Sequence, residues 1–339
     1  MNSMHLFELT RALIDIDSVT PNELEIGKYL HDYLRPLAEK YGGELARIEV
    51  AENRFNVYAH WGTPEIVFST HMDTVPPFIP SSEDDGFIRG RGACDTHGIA
   101  ASMLKALEAL LEGGVRDLAV LFVVGEEIEG FGAMHANRNT PAGVKYLING
   151  EPTENKLALG SKGSLRLDLR ANGKAAHSAY TELGDSAVDK LLDNLQSLRA
   201  VKWPVDPVLG DSTLNIGTLN AGPAANVIAD YAESSVVIRV VSDLAELQKL
   251  AMSALDDRVE VTVRTATPAV HLKAVPGFET TIVKYTTDVP KLTNWGQPLL
   301  LGPGTIHVAH TPDEHIAKSQ LVEAVELYQK LVKQLKTTN

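Results

Sequence analysis

Two apolar runs, EIVFST at 65–70 and LAVLFVV at 118–124, are separated by GIAASMLKALEALLEGG, whose apolar spacing is helical and which ends on a pair of glycines. A strand, a long helix and a second strand in that order can close only as a crossover, because parallel neighbours cannot be joined by a tight turn. The chain therefore has to build an α/β domain with a mostly parallel sheet flanked by helices. Further short runs, ARIEV, NVYAHW and VKYLIN, read as strands of the same sheet. Apolar spacing over Leu6 to Ile16 and Glu23 to Ala38 predicts two amphipathic helices, the second introduced by Thr20 and Pro21 and ended by Gly42 and Gly43. Ligands of such sheets collect beyond the carboxyl ends of the strands. His71, Asp73, Glu126, Glu127 and Glu151 follow strand ends and so carry most of the functional expectation.

The texture changes near Leu159. SLRLDLRANG and STLNIGTLN alternate like half-exposed strands, DSAVDKLLDNLQSLRAV and LAELQKLAMSAL are helical, and AESSVVIRVV and RVEVTVRTA are strands. That βαββαβ order can fold as a unit of its own. The expected organisation is a first domain over 1–158, an inserted domain over 159–268, and a return to the first domain over 269–339 through TIVKYTTDVP, QPLLLGPG and the helix KSQLVEAVELYQKLVKQL.

A net charge of −13 argues against nucleic acid or an anionic membrane as partner, and part of that charge can serve to hold cations. No apolar run approaches the ~20 residues of a membrane span, and the start is acidic and amphipathic where a secretory signal would be basic and then apolar. With a single cysteine, Cys94, no internal disulfide can form, in keeping with a cytoplasmic location.

His71, Asp95, Glu127, Glu151 and His310 are nitrogen and oxygen donors of the kind that binds zinc, cobalt or manganese. Two imidazoles and three carboxylates suffice for two divalent ions if one carboxylate bridges them, and Asp95, set among the glycines of GRGACDTHG, is the bridging candidate. Asp73 stands two residues beyond His71, on the same face if the backbone stays extended, so its carboxylate can accept the second ring proton of that histidine; a turn-capping Asp is the plainer alternative. In VVGEEIEG neighbouring side chains diverge, which lets Glu127 ligate while Glu126 acts on a water as general base. His307 and His315 compete with His310 for the same part.

Taken in order, STHMDTVP, GRGACDTHG, VVGEEIEGFGA, INGEPT, GKAAHSA, AGPAANVIADYAESSVVIRV and AHTPDEHI resemble the motifs of the metal-dependent aminoacylase and carboxypeptidase G family, which includes acetylornithine deacetylase and succinyl-diaminopimelate desuccinylase. The resemblance spans nearly the whole chain. It implies a zinc-exopeptidase-like catalytic domain with an inserted βαββαβ lid that can pair two copies into a homodimer. It places His71 and Glu151 at one metal, Glu127 and His310 at the other, Asp95 between them, Glu126 as general base and Asp73 as the partner of His71. His177 of GKAAHSA matches the histidine that steadies the oxyanion, often from the neighbouring subunit. Asn226 and Arg239 match positions that hold the substrate, a small molecule carrying a carboxylate. An outward place on an exposed strand is the other reading of Arg239, and a plain turn the other reading of Gly302 to Gly304, whose amides could also face that carboxylate.

The implied activity is hydrolysis of an amide between an acyl group and an amino acid, with acetylornithine, acetylcitrulline or acetyl-lysine foremost. A carboxypeptidase or dipeptidase with the same two-metal machinery is the nearer alternative, and a non-catalytic amino-acid or peptide binding protein the remoter one. Two departures bear on this. The chain is short for the family, and Glu151 stands where many relatives have Asp, which leans toward deacylase or carboxypeptidase members.

Overall fold

The computed structural model describes residues 5–128 and 130–337. Its principal sheet has six strands in the spatial order Glu44–Ala51, Arg54–Trp61, Leu118–Val123, Ile66–His71, Tyr146–Asn149 and Gln297–Leu300. The last four run parallel; the first two form an antiparallel hairpin, and its inner strand is antiparallel to Leu118–Val123. The hairpin is the departure from a wholly parallel sheet, and its cause is local: only Glu52 and Asn53 join its strands, and so short a link can only reverse the chain.

Both faces of the parallel strands are apolar, and each face has its own core. Ile66, Phe68, Leu118, Val120, Phe122 and Ile148 pack with the helices Leu6–Ile14, Leu24–Tyr41, His97–Glu112 and Lys318–Thr337. Val67, Ala119, Leu121, Val123 and Leu147 meet Ala133, Ala136, Leu292 and Trp295 on the other side. This alternation is why continuous apolar runs, rather than alternating ones, mark these strands. Leu24–Tyr41 stops at Gly42, whose φ of 69° closes the helix in a left-handed turn.

The chain divides into two compact units, the second comprising Gly160–His271 and Ile282–Thr286. Its sheet is antiparallel, in the spatial order Thr213–Ala221, Tyr231–Val240, Gly163–Asn172 and Val259–Thr267. The helices Ala187–Ala200 and Leu244–Ser253 supply its core through Leu191, Leu195, Leu198 and Leu247. The segment Ile282–Thr286 was expected in the first domain; it groups with the second because Lys162 N–H donates to the Val283 carbonyl at 3.1 Å. No helix among the described residues is long and apolar enough to cross a membrane.

Candidate metal centre and active site

Three adjacent parallel strands end at one edge of the sheet. His71 pairs in register with Val123, and Ser69 with Asn149, so the loops carrying Glu126 and Glu127, and then Glu151, leave beside His71. Thr70 Oγ1 donates to the Gly150 carbonyl at 2.9 Å and Gly150 N–H to the Ser69 carbonyl at 2.7 Å, which fixes the turn before Glu151. Asp95 enters from the loop ahead of the crossover helix. Gly92 in that loop has φ of +86°, and a Cβ there would stand 2.6 Å from His97 Nδ1, so the bend needs glycine.

His71, Asp95 and Glu127 present ligand atoms within 4.8 Å of one another. Asp95 divides its carboxylate: Oδ1 lies 3.0 Å from His71 Nε2 and Oδ2 lies 3.3 Å from His310 Nε2. His310 Nε2 is also 3.1 Å from Glu127 Oε1. Of the three competing histidines, only His310 joins this group. His315 turns its ring toward Phe87 with Nδ1 donating to the Asp313 carbonyl, and His307 is exposed. Glu151 is buried, within electrostatic reach of His71, Asp95 and Glu126.

Asp73 departs from expectation. The strand stops at His71, so the extended alternation does not carry on to Asp73. The His71 Nδ1 proton goes to the backbone carbonyl of Asp73 at 2.9 Å, while the carboxylate is 3.6 Å from that nitrogen. The carboxylate instead accepts from the amides of Glu126 and Glu127, at 3.1 and 3.2 Å, and from Thr20 Oγ1 at 2.7 Å. Asp73 thus orients His71 through its main chain and the Glu126–Glu127 turn through its side chain.

Electrostatically the cluster is short of cations. Desolvation raises the Glu126, Glu127 and Glu151 carboxyls above their usual range, and neighbouring carboxylates add to it. Burial opposes the charged form of His71, but the Asp95 hydrogen bond and charge outweigh it and raise its pKa well above normal. Hydrogen bonds to Asp95 and Glu127 lift His310 to about 10. Among the described residues no lysine or arginine pairs with Asp95, Glu126, Glu127 or Glu151. Hard and borderline donors massed without a lysine or arginine among them fit divalent cations.

The other expected residues lie in the second unit. His177 is exposed on the short strand Ala176–His177, which pairs antiparallel with Val227–Ile228. Its Nδ1 accepts from Ala179 N–H at 3.2 Å, and the adjoining Ser178 N–H donates to the carbonyl of Asn226, itself exposed. Arg239 stands opposite Ser164 and Thr213, half-buried and without a hydrogen-bond or ion-pair partner among the described residues. The Gly302 and Gly304 amides are already engaged, by Thr153 Oγ1 at 3.0 Å and Gln320 Oε1 at 3.1 Å, so Gly302 to Gly304 is a structural turn.

Sequence reading missed three residues of this edge. Asp288 is buried, its Oδ1 3.7 Å from Lys291 Nζ; burial pushes its carboxyl up to about 6, and its charge adds to the desolvation that raises the Glu126 carboxyl. Arg91 and Glu314 form a buried ion pair behind Asp95. A lone Asp in TTDVP and an acid in the polar turn TPDEH carried no signal that distinguishes them from solvated residues.

The sequence pattern of peptidase family M20/M25/M40 matches residues 67–334. A peptidase M20 domain-containing protein of Schizosaccharomyces pombe is 38% identical over 97% of this chain and 84% of its own length. A probable carboxypeptidase of Aspergillus flavus is 36% identical over 98% of this chain and 90% of its own. Among solved structures, a tripeptidase from Staphylococcus aureus superposes with a TM-score of 0.82 at 21% identity, covering 97% of both chains, and so shares the fold. With a family pattern over most of its length and relatives this similar end to end, the chain belongs to peptidase family M20/M25/M40, hydrolases of peptide and related amide bonds.

Proposed function

We propose that the protein is a two-metal carboxypeptidase, cleaving the amide bond on the acyl side of an amino acid whose α-carboxylate is free. The divided carboxylate of Asp95, one oxygen toward each histidine, is the observation that carries the two-metal reading. His71, Asp95 and Glu151 would hold one cation, and Asp95, Glu127 and His310 the other; zinc, cobalt and manganese all suit these donors. When bound, such a pair supplies Lewis acidity toward the acyl oxygen and acidifies a water. Glu126, carried beside Glu127 on the turn that Asp73 holds, takes the proton from the attacking water and returns it to the departing amine. His177 steadies the developing oxyanion. Arg239, with no partner in its own unit, and Asn226 hold the substrate carboxylate, for which a guanidinium fork is better shaped than an ammonium.

We favour this reading over an N-acetyl amino acid deacetylase because relatives above 30% identity over nearly the full chain are named probable carboxypeptidases. Both reactions place a free carboxylate next to the scissile amide, so substrate competition separates them. Purified metal-loaded protein is assayed on a panel of dipeptides and blocked dipeptides beside acetylornithine, acetylcitrulline and acetyl-lysine. Higher kcat/KM on the peptide substrates supports the reading. Preference for the acetylated amino acids by orders of magnitude would replace it with the deacetylase, and C-terminally amidated peptides cleaved as well as free acids would remove the carboxylate requirement.

A further inference from the structure

We infer that the buried ion pair of Arg91 and Glu314 is a positioning device that sets the spacing between Asp95 and His310, and with it the affinity of the second metal position; this rests on the two-metal reading above.

Arg91 and Glu314 lie 223 residues apart, yet Nη1 of one meets Oε2 of the other at 2.6 Å, with both side chains almost wholly inaccessible. The pair is wired to main chain on every side. Glu314 Oε1 accepts from the amides of Cys94 and Asp95, each at 3.2 Å, so the backbone that bears the shared carboxylate hangs on this oxygen. Arg91 Nη1 also donates to the carbonyl of Thr311, next to His310, at 3.2 Å, and Nε donates to the carbonyl of Pro77 at 3.3 Å. Gly90 N–H donates in turn to the Glu314 carbonyl at 3.1 Å. One ion pair therefore ties the Asp95 loop, the His310 loop and the segment after Asp73.

His310 needs such a brace more than the other donors do. It lies on a loop with φ of 63°, its side chain about half exposed, whereas Glu127 and Glu151 follow strands held in the sheet. His71 has anchors of its own: Nδ1 on the Asp73 carbonyl, and its carbonyl accepting from Thr96 Oγ1 at 2.7 Å. Loss of the pair should therefore loosen His310 from Asp95, whose Oδ1 stays tethered to His71 Nε2 at 3.0 Å, and so affect the second position far more than the one formed with His71 and Glu151. A guanidinium is required because three directions are bonded from one planar group, which a lysine ammonium at the end of a flexible stem cannot reproduce.

Removing one member would strand a buried charge, so the principal variant removes both, R91M/E314M. Zinc is titrated calorimetrically into the apo protein, and the apo melting temperature and kcat and KM are measured alongside. Wild type is expected to bind two equivalents. The double variant is expected to keep the first and to weaken the second by about 10- to 100-fold, the range found when outer partners of metal ligands are removed, with kcat falling and KM nearly unchanged. R91K, which keeps the charge, is expected to weaken the second equivalent as well, and serves if the double variant does not fold. Either folded variant binding both equivalents as tightly as wild type would overturn the inference, and so would equal weakening of both together with a lower apo melting temperature, which marks a merely structural pair. Wild type binding fewer than two equivalents would instead overturn the two-metal reading.

Discussion

Replacing Asp73 by Asn tests whether its carboxylate acts on the Glu126–Glu127 turn or on the His71 ring. Oδ1 takes the Glu126 amide, and Oδ2 takes the Glu127 amide and the Thr20 hydroxyl, at 3.1, 3.2 and 2.7 Å. An asparagine offers one acceptor oxygen, so whichever way it turns, one buried backbone donor faces an NH2 group. An orphaned donor costs roughly 1–3 kcal/mol, and the bonds that survive lose the advantage of a charged acceptor, about 1 kcal/mol more. The turn is thus destabilised by roughly 2–4 kcal/mol. Since 1.36 kcal/mol is a tenfold change in rate, about half of that appearing in the transition state lowers kcat/KM by roughly 5- to 30-fold, the remainder appearing as a lower melting temperature. Steady-state kinetics and thermal unfolding of the metal-loaded variant measure both parts. His71 keeps its proton acceptor, which is a backbone carbonyl, so zinc content should remain near wild type. Unchanged kcat/KM with an unchanged melting temperature would refute this reasoning, and loss of zinc with turnover geometry intact would return the carboxylate to the His71 ring.

Further outcomes follow from the same site. Glu126→Gln should lower kcat by roughly 10²–10⁴, the range for a general acid–base residue, with metal content unchanged; near-normal turnover would leave the reaction without its base. Dialysis against a chelator should lower the melting temperature, since saturation at a thousand times Kd contributes about 4 kcal/mol, and added zinc, cobalt or manganese should restore it; indifference to chelation would contradict the donor cluster. His177→Ala should cost roughly 10²–10³ in kcat if it is an oxyanion donor, and mixing that variant with Glu126→Gln should regain activity if the histidine works from a neighbouring subunit. Arg239→Lys should raise KM for free-acid substrates more than it lowers kcat, and equal KM values would remove the guanidinium from carboxylate binding.

Sequence located the sheet edge where most of the candidate ligands lie because strand ends are visible in it. An apolar run that stops at a charged residue marks both a buried strand and the edge where its next residues emerge, and His71, Glu127 and Glu151 were legible for that reason. Asp73 was misread where the strand periodicity ended, since the two-residue alternation holds only while the backbone stays extended. Arg91 and Glu314 were invisible because their pairing is a contact across 223 residues, which no local pattern records. The antiparallel hairpin at the sheet edge could have been read from its two-residue link, whereas the transfer of Ile282–Thr286 to the second unit depends on tertiary pairing alone.

That five side chains hold two cations is tested most directly by anomalous diffraction from zinc-loaded crystals. Two peaks roughly 3.5–4 Å apart, with Asp95 between them, His71 and Glu151 around one and Glu127 and His310 around the other, are the expected result. A single peak, or two peaks that do not share Asp95, would contradict it.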